Sequence, residues 1–68
     1  MIVSLNGDRT ELPDGATVSD AVRRAGADGA TRGVAVAVDG EVVRKADWGK
    51  VRLEERQAIE VVRAVQGG

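Results

Sequence analysis

Apolar residues run in short blocks along this chain, and each block is closed by a turn signal. Ile2–Leu5 is the first block, and Asn6-Gly7 behind it is the strongest short-range signal for a tight hairpin. Residues 8–12 then form the return strand with their charges facing water, and Pro13-Asp14-Gly15 ends it. The period changes next. Val18, Ala21, Val22 and Ala25 fall at i, i+3, i+4 and i+7, one stripe of a helix that packs on a sheet. Thr17 is its N-cap, with Asp20 three residues on as a short capping box. Arg23 and Arg24 suit the negative end of the helix dipole, and Gly26 is the stop.

The second half repeats the hairpin theme. After a loop over 27–33, Val34-Ala35-Val36-Ala37-Val38 is an unbroken apolar run and predicts a central strand buried on both faces or nearly so. Its small alanines would let one face sit close to a covering element. Asp39-Gly40 is a second tight turn, and residues 41–44 return from it. Residues 45–53 read as irregular: Asp47 caps one short turn, Trp48 is a lid on the core, and Leu53 drops back into it. The last strand spans residues 58–65 and leads to Gln66-Gly67-Gly68. It must bury Ile59 and Val61, and it does so by lying between the hairpins, parallel to the first strand. The prediction is α+β: a mixed sheet of four to five strands with one main helix across one face, the ubiquitin-like β-grasp. Residues 1–65 form that domain and residues 66–68 a flexible tail.

Composition narrows what such a domain can do. At 68 residues it is one domain near the lower size limit for a single core. Cysteine and histidine are both absent, which removes the usual thiolate nucleophile, the commonest acid–base group and the commonest metal ligands. An enzyme in its own right is not expected, nor a bound metal or cofactor. Ten Lys/Arg against eleven Asp/Glu, interspersed, give a net charge of −1, and Trp48 is the single aromatic. That is neither a phosphate-binding stripe nor a base-stacking platform, so no nucleic-acid partner is expected. The N-terminal apolar stretch is too short for a signal peptide and no run reaches membrane-spanning length. The expectation is a soluble, cytoplasmic protein, monomeric when free and with no membrane partner.

The candidate chemistry lies in Gly67-Gly68. Two residues without Cβ let a backbone enter a narrow cleft, which suits a terminus that is itself the substrate of another enzyme. A flexible tail or cloning boundary is the plainer reading of a bare dipeptide. Val62 and Ala64 alternate away from Ile59 and Val61, so they are either ordinary half-buried positions or apolar surface beside the tail. Arg63 is either a solvated charge or a group that steers partners, and Gln66 borders the same stretch.

The strand ending in Asn6-Gly7, the helix opening at Thr17-Val18, the run from Val34 through Asp39-Gly40 to Val43, Asp47-Trp48, Leu53 and the ending from Ile59 to Gly68 together resemble the ThiS family of sulfur carriers in thiamin biosynthesis. The likeness covers essentially the whole chain. It departs at Arg56-Gln57, where the family often has a Gly-Asp turn, which bears on the local turn geometry. Val62-Arg63-Ala64-Val65 lacks the aromatic-proline stretch of molybdopterin carriers, which favours the thiamin branch.

The resemblance implies a route. A ThiF-type enzyme spends ATP to adenylate the Gly68 carboxylate, a sulfur donor such as a cysteine desulfurase converts it to a thiocarboxylate, and a ThiG-type thiazole synthase takes the sulfur. Gly67 gives access, and Val62, Arg63, Ala64 and Gln66 are the docking candidates. A carrier or modifier of another pathway, of the molybdopterin or cysteine type, and a stand-alone β-grasp binding module are the alternatives.

Overall fold

Two Asx-Gly pairs fold the chain back on itself. Strand β1 (Ile2–Leu5) meets β2 (Asp8–Glu11) antiparallel, with Leu5 opposite Asp8. Between them Asn6 and Gly7 have φ of 52° and 85°. Strand β3 (Val34–Val38) meets β4 (Glu41–Val43) the same way, with Val38 opposite Glu41. There Asp39 and Gly40 have φ of 50° and 84°. Positive φ at both central residues is the type I′ turn, whose twist matches that of the strands it joins. The computed structural model describes residues 1–27 and 33–63. Most of the expected 27–33 loop, and the last two residues of the expected 58–65 strand, therefore lie outside the described residues.

Strand β5 (Ala58–Arg63) lies between the hairpins, and the sheet order is β2-β1-β5-β3-β4. It runs parallel to β1, Leu5 facing Ile59, and antiparallel to β3, Val36 facing Val61. Helix α1 (Val18–Arg24) buries Val18, Ala21 and Val22. These join Val3, Leu5, Val36, Val38, Ile59 and Val61 in one core, closed at its end by Leu12, Trp48 and Leu53. This is the β-grasp arrangement: a five-stranded mixed sheet with one helix.

The helix begins as its sequence predicts. The Thr17 N–H donates to Asp20 Oδ2 at 2.8 Å, and the Thr17 hydroxyl donates to the same oxygen at 3.2 Å. Those bonds favour the charged carboxylate and hold Asp20 below its ordinary pKa; Arg23 at 3.2 Å adds to the effect. The next two helical N–H groups, of Val18 and Ser19, reach the carbonyls of Val51 and Trp48. The irregular segment thus satisfies donors that a helix start leaves open.

Two local expectations change. Strand β3 is not buried on both faces: Val36 and Val38 are buried, whereas Ala35 is exposed and Ala37 half-buried. A single helix covers one face of the sheet, so the alanines lie on the open face and nothing among the described residues packs over it. The short turn after β4 is a 3₁₀ segment, Lys45–Asp47, with Arg44 at its N-cap position. Asp47 closes that turn rather than capping it, and its carbonyl receives the N–H groups of Lys50 and Val51. Trp48 is the expected lid, buried, with Nε1 donating to the Val43 carbonyl at 3.0 Å.

The departure at Arg56-Gln57 also has a geometry. Arg56 has φ of 68°, a left-handed conformation that glycine takes freely and arginine does not. The turn closes nonetheless. The Gln57 N–H donates to the Glu54 carbonyl at 3.2 Å, the Glu54 N–H donates to Gln57 Oε1 at 2.7 Å, and the Arg56 N–H donates to the Ile2 carbonyl at 2.7 Å.

Candidate functional site: the strand that leads to the tail

Everything that could present Gly67-Gly68 passes through β5, so its anchorage defines the site. Its inner face is simple. Ile59 is 1% exposed and Val61 8%, both inside the core. Its edges are held in a way the residue pattern alone does not predict. Asn6 and Asp39, the first residues of the two tight turns, each turn their side chains onto the β5 backbone.

The two contacts share a plan. The Asn6 N–H donates to the Ile59 carbonyl at 2.8 Å, and Asn6 Oδ1 receives the Val61 N–H at 2.8 Å. The Asp39 N–H donates to the Ala58 carbonyl at 2.8 Å, and Asp39 Oδ1 receives the Ala58 N–H at 2.9 Å. Asn6 works from the β1 side and toward the tail, Asp39 from the β3 side and at the strand's start. Each extends a ladder by one rung where the backbone has already turned away. The sequence signal for both is an Asx residue before glycine, which by itself specifies only a tight turn.

The outer face of β5 carries one of the docking candidates, Val62. Val62 is 59% exposed and the register sets it opposite Ala35; Val42, 76% exposed, lies opposite Ala37. An apolar patch therefore crosses β5, β3 and β4 on the uncovered side of the sheet. Arg63 is exposed, opposite Val34. Val62 and Arg63 are thus consecutive at the end of the described strand but alternate to opposite faces, Arg63 on the side of Ile59 and Val61, while Ala64, Gln66, Gly67 and Gly68 lie outside the described residues.

Elsewhere the described surface holds little chemistry. A shallow trough of about 390 Å³ runs along the open face by Ile2, Ser4, Arg9 and Arg56. No group of three or more His, Cys, Asp or Glu that could hold a metal ion occurs among the described residues. Nor does any helix there have the length and apolarity to cross a membrane.

Comparison with known proteins fits this arrangement. The family model of the ThiS family matches residues 3–68. The chain belongs to the ThiS family. That family comprises small sulfur carriers of thiamin biosynthesis, proteins acted on by enzymes rather than catalysts themselves. Among solved structures, the thiamine biosynthesis protein ThiS from Geobacter metallireducens superposes with a TM-score of 0.79 over 100% of both chains, at 18% identity. At that identity the likeness speaks for the fold, and for it alone. No curated protein gives a significant match. In this chain the bridged β5 is both the central strand of the sheet and the strand that precedes Gly67-Gly68 in sequence.

Proposed function

We propose that this protein carries sulfur on the carboxylate of Gly68 for assembly of the thiazole of thiamin. The observation that carries the reading is the family match, which extends through Gly67-Gly68. A carboxylate is fully ionised at neutral pH and resists attack by a nucleophile. Adenylation removes that resistance. One carboxylate oxygen attacks the α-phosphorus of ATP in a ThiF-type enzyme, pyrophosphate leaves, and a mixed anhydride remains. A persulfide sulfur from a donor such as a cysteine desulfurase attacks the carbonyl carbon and AMP departs. A second thiol then reduces the acyl disulfide and frees the thiocarboxylate, which a ThiG-type synthase consumes.

Within this reading the protein supplies geometry and its partners supply catalysis. Residues 1–65 form the body and residues 66–68 the tail that reaches the partner's site. Gly67 keeps the approach unhindered. Val62 and the open-face patch, together with Arg63, Ala64 and Gln66 farther along the chain, dock the activating enzyme and the synthase in turn, from a monomeric protein in the cytoplasm. Apolar patches rimmed by charge mark such surfaces.

The test is ATP–pyrophosphate exchange by a ThiF-type enzyme. Wild-type protein stimulates exchange, and deletion of Gly68 abolishes it while leaving the melting transition unchanged. Equal exchange with the deletion variant would overturn the assignment.

A further inference from the structure

The two Asx latches hold β5 from opposite sides, Asp39 at its first residue and Asn6 at Val61, nearer the tail in sequence. We infer that Asn6 is a positioning residue for the chemistry at Gly68, an inference that rests on the carrier reading above. In a parallel ladder the Val61 N–H and carbonyl face the β1 side. The β1 backbone has already left: it turns at Asn6 and Gly7 with φ of 52° and 85°. The Asn6 amide takes the place of the missing rung, receiving the Val61 N–H at 2.8 Å and donating Nδ2–H to the Val61 carbonyl at 3.3 Å. A primary amide offers both an acceptor and a donor, so one side chain satisfies both backbone groups.

Beyond Val61 the described strand is paired on the β3 side alone, Val62 with Ala35 and Arg63 with Val34. Among the described residues Asn6 is therefore the last constraint on β5 from the β1 side. Gly68 lies seven positions beyond Val61, a reach of about 24 Å at most. A change of direction at Val61 moves the point from which that reach begins. Reaction rates depend steeply on placement of the reacting atoms. The Asn6 latch thus acts on the orientation of the carboxylate in the partner's site, not on docking of the body.

Steady-state adenylation by a ThiF-type enzyme tests this, with Asn6→Gly against Asp39→Gly. Both variants keep a residue that accepts positive φ, and both lose one latch, so they serve as matched controls for general loosening. The expected result is a fall in kcat of roughly fivefold to tenfold for Asn6→Gly, with KM for the carrier within about twofold of wild type. Asp39→Gly retains the wild-type kcat. Amide exchange at Val61 accelerates in Asn6→Gly while Val36 and Ile59 stay protected.

Asn6→Asp keeps the oxygen that receives the Val61 N–H, and its kcat falls between the two, roughly twofold to threefold below wild type. That variant decides the matter if Asn6→Gly does not fold. Equal losses in Asn6→Gly and Asp39→Gly, a wild-type kcat for Asn6→Gly or Asn6→Asp, or an effect confined to KM would overturn the inference. If an active enzyme fails to adenylate even the wild-type protein, the carrier reading itself falls, and this inference with it.

Discussion

The Asn6-Gly7 and Asp39-Gly40 turns are nearly superposable in backbone angle, yet their side chains are not interchangeable. Asn6 faces a single residue, Val61, which offers one donor and one acceptor. Asp39 faces two donors, the Ala58 N–H on Oδ1 and the Gln57 side-chain N–H on Oδ2 at 3.2 Å. An amide meets the first demand and a carboxylate the second. Asx choice at a hairpin is usually explained by tolerance of positive φ, which both residues have. Here the partner across the sheet discriminates between them.

Exchanging the residues should break this correspondence unequally. In Asn6→Asp a carboxylate oxygen replaces the amide donor and meets the Val61 carbonyl in a partly buried site. We expect a loss of about 2 kcal/mol, the cost of leaving a polar group unpaired beside a like partial charge. Urea denaturation would show it as a lowered midpoint at unchanged slope. Asp39→Asn is milder. Its oxygen still receives the Ala58 N–H, but its N–H₂ group now faces the Gln57 amide nitrogen. Gln57 cannot simply flip, because its oxygen is held by the Glu54 N–H at 2.7 Å. The site is exposed and water relieves part of the clash, so about 0.5–1 kcal/mol is expected by the same denaturation assay.

Much of this fold is legible in the sequence. Both turns, the alternation in β5, the capping box at Thr17 and Asp20 and the central place of β5 follow from local chemistry and the need to bury Ile59 and Val61. The latches did not follow, because their partners are remote in sequence. Asn6 lies 55 residues from Val61, and Asp39 lies 19 from Ala58. Nothing local distinguishes a turn-forming side chain from one that also reaches another strand. The two-sided burial expected for Val34–Val38 failed for a different reason. A run of Val and Ala is compatible with either burial pattern, and one helix of seven residues cannot cover two faces of a five-stranded sheet. Of the candidate site, Val62 and Arg63 lie in β5, within the strand expected over residues 58–65, and the open-face patch with Ala35 and Val42 is visible only through strand register.

Two smaller effects sharpen the contrast between turns that accept positive φ and one that tolerates it. Arg56 has φ of 68° without the local hydrogen-bonding that favours Asn or Asp there. Arg56→Gly should stabilise by about 0.5 kcal/mol, the relief of left-handed strain less the added freedom of the unfolded chain. A raised melting temperature would record it, and an unchanged or lowered one would show that the arginine side chain contributes at that site.

The smallest effect is at Asp20, whose pKa is lowered chiefly by the Thr17 N–H. A carboxyl with a depressed native pKa contributes stability that is fully present above its unfolded value, about 3.9, and is lost as pH falls through the lower native value. Asp20→Asn should therefore cost a few tenths of a kcal/mol near neutrality. The difference from wild type should shrink below about pH 4. A pH series of thermal melts reads both.

The most direct test of the account as a whole is the intact mass of the protein after incubation with ATP, a ThiF-type enzyme and a sulfur donor. The account predicts a gain equal to exchange of one oxygen for sulfur, located on Gly68 by fragmentation. An unchanged mass with an enzyme that modifies its own carrier, or a modification located anywhere but Gly68, would contradict it.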